Sequence, residues 1–159
     1  MKKRILVAVL ALMFCATGAF AAKGGGLAIG GEGSLYFAGS GGGLPMSAML
    51  TLHLPSFPLY LGIGISTEPA VAVTADYWFA HGSLVSFLDW YAGVGGYLTV
   101  DLNPVSFTAG GRIPLGLQAW PFGQNLELFM EIAPAVGVIL VPTSFDWHLQ
   151  GAVGLRFWF

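Results

Sequence analysis

The sequence predicts an all-β fold: an eight-stranded antiparallel up-and-down transmembrane β-barrel. Its composition is 55% hydrophobic and 9% charged, whereas about a quarter of the residues in a soluble domain are charged. Its last nine residues alternate between two kinds of side chain. Because successive strand residues point to opposite faces, one row of such a strand suits lipid and the other suits a polar interior. The apolar row consists of Val153, Leu155, Phe157 and Phe159.

The N-terminus has the three parts of a secretory signal peptide. A basic start, Lys2-Lys3-Arg4, precedes an apolar run and the small-residue site Ala19-Phe20-Ala21. We therefore expect residues 1–21 to be removed and residues 22–159 to form one barrel domain. A lipoprotein signal at Cys15 is the alternative, but Phe14 stands where a lipobox needs a small residue. Cleavage would leave no cysteine, so neither a disulfide nor a thiolate site is expected.

Charge is sparse and mostly acidic after the predicted cleavage. The remaining bases are Lys23, Arg112 and Arg156, against all eight acidic residues of the chain. A protein with so few bases is not expected to bind nucleic acid.

A helical membrane protein is the first competing architecture, because the stretch 33–67 contains no acidic residue, lysine or arginine. Gly41-Gly42-Gly43, Pro45, Pro55 and Pro58 interrupt that stretch. It therefore offers no run of about eighteen helix-compatible apolar residues.

Strand-like segments separated by turn residues fill the predicted mature chain. There are eight of them, an even number, as a single-chain bacterial barrel requires. Their predicted bounds are 26–38, 46–54, 59–66, 71–79, 89–100, 107–120, 126–140 and 146–159.

In every segment one row can hold all the charges while the other holds none. In the sixth segment, for example, Arg112 alternates with Ile113 and Leu115. This separation favours a transmembrane barrel, because an Arg or Lys facing lipid at the bilayer midplane costs about 2–4 kcal/mol. The ionisable residues predicted to face the lumen are Glu32, His53, Asp76, Asp89, Arg112, Glu127, Glu131, His148 and Arg156.

The turns predicted near 55–58, 80–86 and 121–125 share one end of the barrel with the C-terminus, which we expect to be periplasmic. An aromatic girdle is expected there, formed by Phe57, Tyr77, Trp78, Phe79, Trp90, Trp120, Phe122, Phe157 and Phe159. The opposite end has only short loops, predicted at 39–45, 67–69, 101–106 and 141–145.

Two prolines and many glycines lie inside the predicted strands. Pro114 and Pro134 cannot donate to a ladder, so a bulge or a widened pair is expected at each. Glycines such as Gly93, Gly110 and Gly116 weaken strand propensity but permit the bending that a narrow barrel needs.

Several motifs of the second half resemble a family of small outer-membrane barrels of spirochaetes and other bacteria of Gram-negative type, related in architecture to OmpA, OmpX and OmpW. The resemblance covers Tyr91 to Phe159 and implies an eight-stranded barrel without a catalytic motif. The alternating C-terminus ending in Phe159 resembles the signal that the barrel-assembly machinery recognises. The motifs are Tyr91-Ala-Gly-Val-Gly-Gly96, Gly111-Arg-Ile-Pro-Leu-Gly-Leu-Gln-Ala-Trp-Pro-Phe122, Leu126-Glu-Leu-Phe-Met-Glu-Ile-Ala-Pro-Ala-Val-Gly-Val138 and the terminal Gly-x-x-Gly-x-Arg-Phe-x-Phe.

The lumen residues are interpreted first as a structural filling of salt bridges and water, since an eight-stranded interior is just wide enough for side chains. Arg112 with Glu131, and Arg156 with Glu127 or Glu131, are the expected pairs. Proton or metal binding by surplus carboxylates, and a solute path, are the alternatives. No metal site or cofactor is expected.

The leading functional hypothesis is a non-enzymatic structural or surface-exposed protein of the bacterial outer membrane. Its expected partners are outer-membrane lipid, lipopolysaccharide or its equivalent, and the barrel-assembly machinery. The alternatives are a narrow channel or carrier for small hydrophobic solutes, and a surface protein whose loops bind a host or another partner. Catalysis is not expected: the only His-x-Ser, at His81 and Ser83, lies at the predicted periplasmic end.

Overall fold

The computed structural model of the chain describes residues 27–39, 46–54, 57–122, 125–140 and 142–159. The predicted signal peptide and the loop at residues 40–45 lie outside these ranges. Among the described residues, no helix is long and apolar enough to cross a bilayer. The strands are β1 Ala28–Gly39, β2 Met46–Leu54, β3 Phe57–Ser66, β4 Ala70–Val85, β5 Leu88–Leu102, β6 Val105–Arg112, β7 Leu115–Ala119, β8 Leu126–Leu140 and β9 Thr143–Trp158.

These strands form one closed antiparallel ring. Apart from β6 and β7, strands that follow one another in the chain pair with each other, and β1 pairs with β9 to close the barrel. The short strands β6 and β7 follow one another between β5 and β8, so together they make the sixth of eight barrel strands. The prediction of an all-β, eight-stranded antiparallel up-and-down barrel is confirmed.

Pro114 separates β6 from β7 without inserting a residue. Arg112 pairs with Ala135 before the break and Leu115 pairs with Ile132 after it, which is the same register. Of the two expected alternatives at Pro114, a bulge or a widened pair, the bulge is therefore wrong. Proline lacks an N–H but keeps its carbonyl. Gly93 N accordingly donates to Pro114 O at 2.8 Å, and Ile113 N donates to Pro134 O at 3.0 Å.

The β4–β5 hairpin is longer than the sequence suggested. The predicted turn at 80–86 is instead strand as far as Val85, and the reversal is at Ser86 and Phe87. Two register shifts, between Trp78 and Ala80 and between Ser83 and Val85, accommodate the extra residues. Because the first shift adds a residue to β4 only, the row that faces the interior changes there from even to odd numbers. His81 and Ser83 therefore stand opposite the buried Tyr91 and Asp89.

The barrel has two ends that differ in their connections. The end that carries Ala28 and Trp158, called the terminal end, has the β2–β3, β4–β5 and β7–β8 turns. The other, called the loop end, has described turns at Thr67–Pro69 and at Asn103 and Pro104. The loop expected at 101–106 is shorter than predicted, because β5 and β6 extend through Asp101 and Val105.

The aromatic girdle expected at the terminal end needs correction. Trp120 is only 7% exposed and lies in the interior, and Trp78 stacks between two interior rings. The side chains of Tyr77, Phe79, Trp90, Phe122 and Phe157 are exposed there as expected. A second exposed group that the sequence did not suggest lies at the loop end, formed by Phe107, Phe145 and Trp147.

Interior glycines provide room for aromatic rings. A methyl group on Gly116 would overlap the ring of Tyr91 on β5, and one on Gly154 would overlap the ring of Phe129 on β8. The sequence suggested that glycine serves barrel curvature. The structure shows that at these two positions glycine also allows a large ring to lie flat against the neighbouring strand.

Replacement of Gly116 by alanine should destabilise the barrel. The added methyl forces Tyr91 to move in a filled interior, which costs about 1–3 kcal/mol of unfolding free energy. Gly111→Ala is the control, because its methyl would point to the exposed face and make only an ordinary contact with a backbone oxygen. Urea unfolding of both variants in lipid vesicles measures the difference, and equal losses would contradict the packing role assigned to Gly116.

Candidate functional site in the barrel interior

Arg112 lies in the middle of the interior, at the end of β6. Its Nη1 donates to Gln150 Oε1 at 2.9 Å, and its Nη2 donates to Glu131. Its Nε lies 3.1 Å from Asp76 Oδ1, an electrostatic contact in which neither atom makes a hydrogen bond to a described residue. Arg112 thereby joins β4, the sixth barrel strand, β8 and β9. The expected Arg112–Glu131 pair is present.

Arg156 forms a second buried pair nearer the terminal end. Its Nη1 donates to Glu127 Oε1 at 2.7 Å, and its Nε donates to Thr51 Oγ1 at 3.2 Å. The guanidinium carbon lies 3.8 Å from the centre of the Phe129 ring. Arg156 and Glu127 stand directly opposite one another on β9 and β8, which explains why these two partners meet.

Glu127 is the most completely enclosed charge in the described part of the chain. Its side chain is 0% exposed. Besides Arg156, it accepts hydrogen bonds from Trp158 Nε1 at 2.6 Å and Gln118 Nε2 at 2.7 Å. A buried carboxylate needs such donors, because an unpaired one would be strongly destabilising.

A ladder of rings crosses four strands beside the two arginines. His53 lies against Tyr60 at 4.5 Å between ring centres, Tyr60 stacks on Trp78 at 3.5 Å, and Trp78 stacks on Tyr91 at 3.8 Å. The hydroxyl of Tyr91 donates to Glu131 Oε2 at 2.7 Å. The aromatic ladder is therefore attached to the ion-pair network around Arg112.

The interior is nearly filled between the two arginines. The cavity there has a volume of only about 10 Å³ and is lined by Glu32, Asp76 and Tyr60, together with Arg112, Glu131 and Arg156. That is about the smallest volume that holds one water molecule. Side chains therefore close the lumen at this level.

A much larger cavity opens at the terminal end. This cavity, called the terminal vestibule, has a volume of about 390 Å³ and lies beyond the stacked Tyr60 and Trp78. Asp89 in its wall accepts hydrogen bonds from Ser83 Oγ and, at 3.0 Å, from Trp120 Nε1. Although His81 and Ser83 both line the vestibule, the described contacts include no hydrogen bond between them. The hydroxyl of Ser83 is directed to a carboxylate.

The loop end has a separate, smaller group. His148 Nδ1 lies 3.0 Å from Asp146 Oδ2, and the hydroxyl of Tyr97 donates to the same oxygen at 3.2 Å. The predicted lumen residues are thus distributed over three levels: His148 near the loops, Glu32, Asp76, Arg112 and Glu131 in the middle, and His53, Asp89, Glu127 and Arg156 toward the terminal end.

Sequence reasoning placed Tyr60 and Tyr97 in the inward row but missed other aromatic residues of the interior. Trp158 is 1% exposed and Tyr91 is 1% exposed, yet neither was proposed as an interior residue. For Trp158 the sequence did contain a signal of its inward position, because Trp158 and Arg156 lie in the same row of β9. Trp78 likewise lies in the same row as Asp76, which indicates an inward position. However, Tyr77, Trp78 and Phe79 are three consecutive aromatic residues, and together they resemble part of a girdle.

The arrangement supports closure of the lumen. Its charges are used in ion pairs and hydrogen bonds between strands, and its rings fill the space around them. Within the described ranges, no three His, Cys, Asp or Glu side chains form a group that could hold a metal ion. On the outer face, Val153, Leu155 and Phe157 are exposed, and Phe159 N donates to Leu27 O at 2.8 Å.

Comparison with known proteins identifies the fold. No protein-family model and no curated protein matches the chain. Its structure is similar to the crystal structure of the N-terminal β-barrel domain of Pseudomonas aeruginosa OprF, with a TM-score of 0.51 and 15% sequence identity, covering 84% of this chain and 98% of that one. At this identity the likeness shows the fold alone, an eight-stranded β-barrel.

Loss of Arg156 alone should be more damaging than loss of both charges of its pair. Arg156→Met leaves Glu127 buried without its cation, which should cost about 3–5 kcal/mol of unfolding free energy. The double variant Arg156→Met/Glu127→Gln should recover part of this, because the introduced amide is neutral and its oxygen can still accept from Trp158. Urea unfolding in lipid vesicles compares the three proteins. Additive losses would show that the pair is not coupled.

Proposed function

We propose that this chain is an integral outer-membrane β-barrel protein with a structural or surface-exposed, non-enzymatic role. Its proposed environment is outer-membrane lipid and lipopolysaccharide or an equivalent glycolipid. The barrel fold supports this proposal, and so do the outer surface and the closed interior. The resemblance of residues 91–159 to small spirochaete-type barrels agrees with this proposal, although the proposal does not depend on that resemblance.

The outer surface is the observation that carries the proposal. Large apolar side chains are exposed on every barrel strand, for instance Ile65 at 66% and Val153 at 60%. Among the described residues, Glu68 is the only exposed residue with a formal charge, and it lies in a turn. A monomer in water rarely exposes more than a few hundred Å² of contiguous apolar surface. An apolar solvent around the barrel accounts for this pattern.

The spacing of the exposed aromatic side chains matches a bilayer. On β9, Trp147 belongs to the group at the loop end and Phe157 to the group at the terminal end. Ten strand residues span about 34 Å, and a strand tilt of about 40–45° reduces this to about 25 Å along the barrel axis. That is the height of the apolar band of outer-membrane barrels.

The closed interior favours a structural role over a channel. The cavity of about 10 Å³ at Arg112 leaves no continuous water path through the described interior. The described turns at the loop end are short, which gives little support to a partner-binding role through loops. With the terminal end in the periplasm, the alternating row that ends in Phe159 is in position to serve as the proposed assembly signal.

Cell fractionation tests the location. The folded protein should be in the outer-membrane fraction and should migrate differently on a gel before and after boiling, because a closed barrel resists detergent at room temperature. Recovery from the soluble periplasmic fraction would refute the proposed function.

Deletion of Phe159 should lower the folded fraction in the outer membrane several-fold, if this residue completes the signal for the assembly machinery. Phe122→Ala is the control, since Phe122 is an aromatic residue that is 77% exposed in a turn of the same end. Quantitation of the heat-modifiable band measures both. An equal reduction in the two variants would argue against a specific signal.

Planar-bilayer recordings test the closed lumen. Wild-type protein should produce no regular conductance steps, whereas Trp78→Ala, which removes the central ring of the aromatic ladder, should allow brief openings. Regular steps from the wild-type protein would support the channel alternative instead.

A further inference from the structure

The wall of the terminal vestibule lacks backbone pairing between β3 and β4 near the terminal end. Hydrogen-bonded pairing between β3 and β4 ends at Tyr60 and Asp76. Both strands nevertheless continue, since β3 begins at Phe57 and β4 runs to Val85. In the register of the ladder, Trp78 would stand opposite Pro58, which has no N–H to donate. The two strands are therefore not hydrogen-bonded to each other at the terminal end, and this unpaired boundary is called the β3–β4 seam.

Tyr77 is an outer-row residue that belongs to the lining of the vestibule next to this seam. Its side chain belongs to the outer row and is 45% exposed. It nevertheless lines the vestibule together with interior residues such as Tyr60 and Trp78. The vestibule is therefore lined by residues of both rows of β4 and lies beside the unpaired boundary, at the level of the exposed aromatic side chains Tyr77 and Phe79.

The inner side of the vestibule is closed. Tyr60 and Trp78 are in stacking contact, and the hydrogen bonds of Glu127 to Gln118 and Trp158 cross the interior just above. The next cavity toward the loop end is the one of about 10 Å³ at Arg112. The vestibule is therefore a blind chamber, suited to holding a molecule rather than passing it on.

The walls of the vestibule favour a positively charged ligand. Asp89 contributes a carboxylate, which accepts hydrogen bonds from Ser83 and Trp120, and the described lining contains the histidines His53 and His81 but no lysine or arginine. Gln118 donates to Glu127 through its nitrogen, and its side-chain oxygen makes no hydrogen bond to a described residue. The rings of Trp120 and Tyr77 also line the cavity, and aromatic rings attract organic ammonium groups.

We propose that the terminal vestibule binds an organic ammonium group carried on an apolar body, which enters through the β3–β4 seam. The ammonium group lies near Asp89 and Trp120, and the apolar body extends past Tyr77 toward the bilayer. The volume of about 390 Å³ is within the usual range of small-molecule sites. This inference rests on the proposed membrane location, because the seam would then lie at the bilayer surface.

The same chemistry has two possible sources, the amine headgroup of a bilayer lipid or a free amine. Purified full-length barrel in lipid nanodiscs can distinguish them through the indole N–H signals of its five tryptophans in NMR spectra. The probe is benzyltrimethylammonium, with benzenesulfonate and benzyl alcohol as the anionic and neutral controls. A heat-modifiable band checks that each preparation is folded.

Benzyltrimethylammonium should shift the Trp120 signal saturably, while that of Trp147 at the other end should stay in place. Asp89→Asn and Tyr77→Ala should weaken binding about tenfold or more. Glu68→Gln removes the same charge from an exposed turn at the loop end and should leave binding unchanged. If Asp89→Asn fails to fold, Tyr77→Ala and the preference of the wild-type protein for the cation over benzenesulfonate decide the matter.

Phosphatidylethanolamine nanodiscs, compared with phosphatidylglycerol nanodiscs, identify the source. A Trp120 shift caused by the ethanolamine lipid, with weaker apparent binding of the probe, indicates a lipid headgroup; identical spectra in both lipids indicate a free amine. An absent or non-saturating shift, or equal responses to ammonium and sulfonate, would overturn the inference. Because fractionation tests the location separately, a folded outer-membrane protein that ignores the probe refutes the ammonium site alone.

Discussion

The interior depends on one buried ion pair, Glu127 with Arg156. The carboxylate is wholly enclosed and receives bonds from Arg156, Trp158 and Gln118. These partners come from β9 and from the sixth barrel strand, on the two sides of β8. In an interior with little water, loss of Arg156 would leave the Glu127 carboxylate buried without a cation. The pair therefore ties the register of three neighbouring strands to a single arrangement.

The rest of the interior is arranged around that pair. Phe129 lies beneath the Arg156 guanidinium in the space that Gly154 leaves, and Tyr91 lies over Gly116. Tyr91 in turn bonds Glu131, which pairs with Arg112. Rings and charges thus form one continuous filling, which is the physical basis for a lumen closed in the middle. The same filling separates the terminal vestibule from the middle of the lumen.

Alternation predicted most of the facing, because the side-chain period of a strand is two and charge is excluded from the lipid row. It failed where the backbone departs from that period. On β4 the bulge after Trp78 changes the inward row from Asp76 and Trp78 to His81 and Ser83, and nothing in the residue types indicates the change. At Pro114 the opposite occurred, because the register continued unchanged where a bulge was one of the expected alternatives. The Pro114 carbonyl still accepts a hydrogen bond from the neighbouring strand.

The sequence by itself determined the barrel, the number of its strands and the inward position of its charges, because these follow from local alternation and the cost of charge in lipid. Only the tertiary structure decided which charges meet, which rings enter the lumen and where the pairing of β3 with β4 ends. Such contacts join strands distant in the chain, for example Arg156 and Thr51, so they depend on closure and stagger of the whole ring. Closure and stagger are properties of all eight strands together, so the local residue pattern does not determine them.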